Sequence, residues 1–180
     1  MTMKVVAPRI TTLIGIRGHS GGEGVGRRDR RGAGATKGGN GDNGGSGRYA
    51  TNITLRGLTF AFTADTYLEP YVVPSPGDWS ISRNGALFVS GAEHVTVESC
   101  AFVRVGGNAV FLSGHAFATR ITNNEFHLIG DSAIATVGDI KGNDGITTDA
   151  YPLDTVITGN HIHEVGVNVT VNGRGRECGE

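Results

Sequence analysis

Apolar residues recur along this chain in short alternating runs, divided by small polar turn residues, and the runs return in phase. Residues 86–106 read ALFVSGAEHVTVESCAFVRVG, residues 109–130 read AVFLSGHAFATRITNNEFHLIG, and AIATVG opens a further copy. Val97 matches Ile121, Phe102 matches Phe126 and Gly106 matches Gly130, each 24 residues on. Self-similarity at a fixed period marks a repeat architecture. An earlier copy, NITLRGLTFAFT, aligns Leu55 with Val97 and Phe60 with Phe102 at an offset of 42, which is one period plus 18 residues. A later one, TVITGNHIHEVG, places Ile157 36 residues after Ile121, one period plus 12. Each copy holds three short apolar segments, such as AVFL, TRI and EFHLI, separated by the turn signals SGH, TNN and GDS. Segments this short, and rich in Val, Ile and Phe, predict strands.

Three strands per turn, stacked copy on copy, predict an all-β fold: a right-handed parallel β-helix of about four rungs of about 24 residues. A leucine-rich repeat has a similar period, but its L-x-x-L-x-L frame is missing. Alternation points Leu87, Val110 and Ile134 inward, with Val89, Leu112 and Thr136. Val97, Ile121 and Ile157 form a second internal column, and Phe102, Phe126 and Ile162 a third. Asn124 and Asn160 share one turn position, where they can satisfy turn backbone and stack as an amide ladder. Cys100 and Leu58 hold that position in the other copies, which makes Cys100 a buried spacer.

The parts follow from the pattern. Residues 1–16 supply a leading strand, ITTLIGI, and 17–48 form a Gly/Arg-rich tract with almost no apolar side chains, expected to be disordered. Residues 49–167 carry the β-helix with insertions at 64–83 and 138–153, and 168–180 are an irregular tail. No capping helix closes the repeat, so the chain is expected to be a fragment of a longer helix, a truncated product or an incomplete reading frame.

Composition narrows the function classes. The 30 glycines, concentrated in the 17–48 tract, explain a hydrophobic content of only 38%. A net charge of −1 argues against a general nucleic-acid or membrane-surface binder, and the arginines near position 29 lack interleaved aromatics. The phosphate-loop pattern GxxxxGK[ST] is absent, since glycine follows Lys37. Two cysteines, Cys100 and Cys178, make neither a disulfide framework nor a zinc site. There is no apolar run of about 18 residues to span a membrane. The first residues lack a continuous apolar core of signal-peptide type. Taken alone, that start reads as intracellular.

The units VTVESCAF and RITNNEF, with GNAVFLSG, GDSAIATVG and LEPYVVPSPGDWSISRNGALF, resemble the right-handed parallel β-helix proteins of the pectate-lyase-like superfamily. Within it they are similar to eukaryotic right-handed β-helix domain proteins. The resemblance covers about residues 50–167. It implies an extracellular setting and a polysaccharide or glycan partner. Many such relatives act on acidic polysaccharides as lyases, hydrolases or epimerases. The polygalacturonase-like branch uses paired aspartates, a Gly-His-Gly and an Arg-x-Lys. In similar register this chain offers Asp131 alone, with Asn108 one rung earlier, and neither other motif is present.

Glycoside hydrolysis takes two carboxyl groups, so Asp131 stands as a candidate acid or base and otherwise as a turn residue. Lyase chemistry needs a base together with cations to neutralise the uronate. Calcium is the candidate cofactor: Asp139, Asp144, Asp149 and Asp154 offer oxygens, though not in EF-hand spacing. Phe88 and Phe111 fall between inward positions and are expected outward, where with Trp79 they form a row for stacking on sugar rings, unless the 64–83 loop covers them. His127 and His163 align between rungs as further substrate contacts; such a pair can also bind a metal or exchange protons, or be an incidental surface pair, and no metal is assigned to it. Asn52 and Asn168 open Asn-x-Thr sequons, which matter only in a secreted protein. Three functions remain open: a non-catalytic glycan-binding domain, part of an enzyme acting on uronate-rich polysaccharide, or a truncated product with no independent role.

Overall fold

The computed structural model describes residues 10–18, 49–66, 82–138 and 151–167. The Gly/Arg-rich tract at 19–48, Trp79, Asp139, Asp144, Asp149 and the tail after 167 lie outside the described residues. Every strand pairing is parallel, and each strand meets its equivalent in the next rung. Chains of this kind satisfy backbone groups between rungs rather than within one.

Three parallel sheets form the walls of the solenoid. The first contains β1 (Ile14–Arg17), β5 (Leu87–Glu93), β8 (Val110–Phe117) and β11 (Ile134–Val137), in that order. The short β2 (Ala50–Thr51) also pairs with β5. The second contains β3 (Thr54–Arg56), β6 (Thr96–Glu98), β9 (Arg120–Thr122) and β12 (Val156–Thr158). The third contains β4 (Thr59–Ala61), β7 (Ala101–Val105), β10 (Glu125–Ile129) and β13 (His161–Val165).

The register explains two insertions at once. Ile14–Arg17 pairs with Leu87–Ser90, and Ala50–Thr51 pairs with Ala92–Glu93. The glycine-rich tract therefore enters the first rung in the middle of one strand position. The fourth rung repeats the arrangement: Val137 pairs with Ser113, and Leu153 bridges to Phe117 after the insertion. At the equivalent point of the intact rungs, Gly91 (φ 62°) and Gly114 (φ 56°) are left-handed. Glycine takes that conformation at no steric cost.

Between the sheets, the corners are also built from left-handed residues, most of them not glycine. Asn52, His94, Ala118 and Asp154 turn the chain from the first sheet to the second, with φ between 52° and 57°. Gly57, Ser99, Asn123 and Gly159 turn it from the second to the third. A non-glycine residue in this region costs about 1–2 kcal/mol, so stacking between rungs must hold these corners in place.

Inside, the expected columns form. Phe60, Phe102 and Phe126 stack with centroid separations of 4.6 and 4.8 Å and nearly parallel planes. Val97 and Ile121 are fully buried beside them, as are Leu87, Val110, Val89 and Leu112. The columns loosen in the fourth rung: Ile157 and Ile162 are exposed, and so is Thr136. Among the described residues no rung stacks on their far side.

The asparagine ladder is present at the second corner. Asn124 accepts from the Cys100 N–H at 2.9 Å and donates to Val97 O and Asn160 Oδ1, both at 2.9 Å. Asn160 donates onward to Ile121 O at 2.8 Å. Asn108, fully buried, does similar work at the third corner. It donates to Ser82 O and Asn84 O, and accepts from the Ser132 N–H. Gly106 leaves room there for the backbone of Ala64 and Asp65, which a Cβ would approach to 2.5 Å.

Of the two readings left open for Phe88 and Phe111, the structure fits the covered one. Both point to the outside of the first sheet, stacked at 5.7 Å, but they form no exposed row. Phe111 is fully buried and Phe88 half-buried, in a second apolar cluster with Ala135 and Val137. The Arg17 guanidinium lies over the Phe88 ring at 4.9 Å and that of Arg83 over Phe111 at 6.0 Å. Arg83 also donates to Ser113 Oγ and Gly138 O, clamping neighbouring rungs together. Alternation set the direction of these rings correctly; Arg17 and Arg83 lie over them.

Candidate functional site

The outward face of the third sheet carries the other chemistry. Because Phe60, Phe102, Phe126 and Ile162 point inward, the residues on either side of each point outward. Register places Thr59, Ala101, Glu125 and His161 in one outward column, and Ala61, Val103, His127 and His163 in the next. Small and apolar residues occupy the first two rungs. Glutamate and histidine occupy the third and fourth.

A third line runs beside these columns. Phe62, Arg104, Leu128 and Glu164 are left-handed in successive rungs, with φ between 53° and 59°. Each interrupts the alternation, so that Val105 and Ile129 can return to the core. At the fourth rung the interruption sends Glu164 back across the sheet. Its Oε2 lies 2.5 Å from His127 Nε2 and 3.9 Å from His163 Nδ1. The His127 and His163 rings stack at 4.5 Å, 22° from parallel, and His161 lies 4.6 Å from His163. About a third of the His127 and His163 side chains remains exposed.

Two sets of ligand atoms result, sharing His163: His127, His163 and Glu164, and Glu125, His161 and His163. Within each set the ligand atoms lie within 4.8 Å of one another. An open groove of about 450 Å³ adjoins the second set, along the corner between the second and third sheets. Ser99, Asn123, Asn124, Glu125, Gly159 and His161 line it. A smaller hollow of about 270 Å³ lies beyond the left-handed line, between Asp65, Arg104, Leu128 and Val167.

Of the residues expected from the sequence, His127 and His163 meet in this site. Asp131 does not join them; it sits past the end of β10 on the third corner. Its backbone N–H donates to Gly107 O and its carbonyl accepts from the Gly166 N–H. Burial raises its carboxyl pKa, partly offset by a hydrogen bond from Ser132 Oγ at 3.3 Å. Phe88 and Phe111 belong to the first sheet, and Trp79 lies outside the described residues.

Glu125, His161 and Glu164 complete the cluster without having been expected from the sequence. His161 carried a readable signal, since His-x-His in a strand puts both rings on one face. Glu164 carried none: strict alternation points it inward, and only the left-handed turn brings it out. Comparison with known proteins adds no relative: no family model, curated protein or solved structure matches the chain.

Proposed function

We propose that this solenoid is a non-catalytic binding domain for glycan or cell-surface polysaccharide. On this reading the ligand lies along the corner groove and the histidine face beside it. The observation that carries the proposal is the groove itself. It is open, it runs across rungs, and carboxylate, amide, hydroxyl and imidazole groups border it. A parallel solenoid repeats its outer positions about every 4.8 Å, a form suited to an extended, repetitive ligand. Imidazole rings offer a flat face for sugar C–H groups and nitrogen atoms for hydroxyls. The likeness of the repeats to the pectate-lyase-like superfamily, whose members commonly meet acidic polysaccharides, supports the same class of ligand.

Glycan-array and affinity-gel binding test this. His161→Ala combined with Glu125→Gln is expected to abolish retention, and Asp131→Asn to leave it unchanged. Retention unaffected by the double variant removes the groove from consideration.

Asp131 supports a second reading, in which the domain belongs to an enzyme acting on uronate-rich polysaccharide. A carboxyl group whose pKa is raised by burial is suited to proton transfer. Turnover of polygalacturonate or alginate that disappears in Asp131→Asn selects this reading over the first.

A further inference from the structure

We propose that His127, His163 and Glu164 form a binding site for a divalent transition-metal ion of the zinc type. The site stands on side-chain geometry and does not depend on the glycan reading. Two imidazoles and one carboxylate are a common three-residue ligand set for zinc, leaving a fourth position open to water or a ligand. The donor types favour zinc, copper or nickel over calcium or magnesium, which take oxygen.

The placement of the donors fits. Glu164 Oε2 already lies near a nitrogen of each ring, 2.5 Å from His127 Nε2 and 3.9 Å from His163 Nδ1. Tetrahedral ligands at about 2.0–2.1 Å from zinc stand about 3.3 Å from one another. The atoms of this set, all within 4.8 Å of each other, reach that arrangement by small side-chain rotations. Two rungs contribute, so the register of β10 on β13 fixes the separation of the two histidines. The αL backbone at Glu164 fixes the third ligand.

Both sets share His163; the alternative adds two exposed residues, Glu125 and His161, whereas this one adds half-buried His127 and exposed Glu164. One fewer exposed side chain must be ordered to close this set. The first set is therefore the metal site. Glu125 and His161 flank it on the side of the groove, where a ligand seated in the groove can reach the open position.

The test is calorimetric titration of zinc chloride into the full chain, repeated with cobalt(II) to read coordination from its visible absorption. One ion is expected per chain, with a tetrahedral cobalt spectrum. His127→Ala, His163→Ala and Glu164→Gln should each weaken binding at least roughly tenfold. His115→Ala serves as a control, because His115 pairs with Glu93 and stacks on Tyr49 on another face, and it should bind as the parent does. Circular dichroism of each variant separates lost ligation from lost fold. Absence of zinc binding by the parent overturns the proposal. So does undiminished binding in folded His127→Ala and Glu164→Gln. Loss confined to Glu125→Gln and His161→Ala overturns the assignment to this set.

Discussion

The outer faces of the first and third sheets begin from the same backbone and end as opposites. On both, residues flanking an inward column project outward in parallel register. On the first sheet those residues are Phe88, Phe111, Ala135 and Val137, and they are covered until Phe111 has no exposed surface. On the third they are Glu125, His127, His161 and His163, with Glu164 beside His127 and His163, and they are left partly open to water. Burying a Phe pair stabilises a solenoid wall. Bringing three imidazoles and two carboxylates together on an open wall adds little stability, because surface ion pairs contribute about 0–1 kcal/mol. The difference teaches where function is to be sought: in a repeat fold, the face whose residues do not stabilise it.

Substitution should separate the two faces. The largest effect is expected at Phe111. Replacing this fully buried ring by alanine should cost about 3–5 kcal/mol in urea unfolding. His127→Ala should cost less than about 0.5 kcal/mol, as for an ordinary surface position. Comparable losses at the two positions erase the distinction.

Asn124→Ala comes next, at about 1–3 kcal/mol, since it leaves the Cys100 N–H and the Val97 carbonyl without the side chain that joins them. This change probes the corner between the sheets and should weaken folding with no preference for either face. If it left unfolding unaltered, the ladder would not be holding the strained corner.

Asp131→Asn is expected to be small and opposite in sign. Its carboxyl pKa is raised above 3.8 in the folded chain, so the native state binds the proton more readily than the unfolded chain does. The favourable contribution is present below the ordinary carboxylate range and is lost as pH rises through the raised value. Above that value only the cost of the buried charge remains. The variant should therefore be slightly more stable than the parent there. The gain should fade on acidification; a loss at pH 7 would point to a carboxylate held by stabilising contacts.

The scaffold was legible in the sequence because stacking in register demands like residues at like positions. Phe60, Phe102 and Phe126 recur for that reason, and Asn124 recurs at Asn160. The site was legible only in part. Period-2 alternation fixes which way a side chain leaves the backbone, so Phe88, Phe111, His127 and His163 were all correctly placed outside. It carries no record of what comes back over a wall, which is why Phe111 is buried. Nor does it register a left-handed residue within a strand, which is why Glu164 went unnoticed. Both are tertiary effects with no period of their own.

Equilibrium urea unfolding of the His127→Ala/His163→Ala double variant, with and without saturating zinc, tests the account most directly. A ligand that binds only the folded state raises its stability by mass action. The account predicts that the double variant matches the parent without metal, and that zinc stabilises the parent alone. A double variant already destabilised without metal would mean that the stacked rings hold the wall together. An equal zinc effect on both proteins would mean that these histidines are not its ligands.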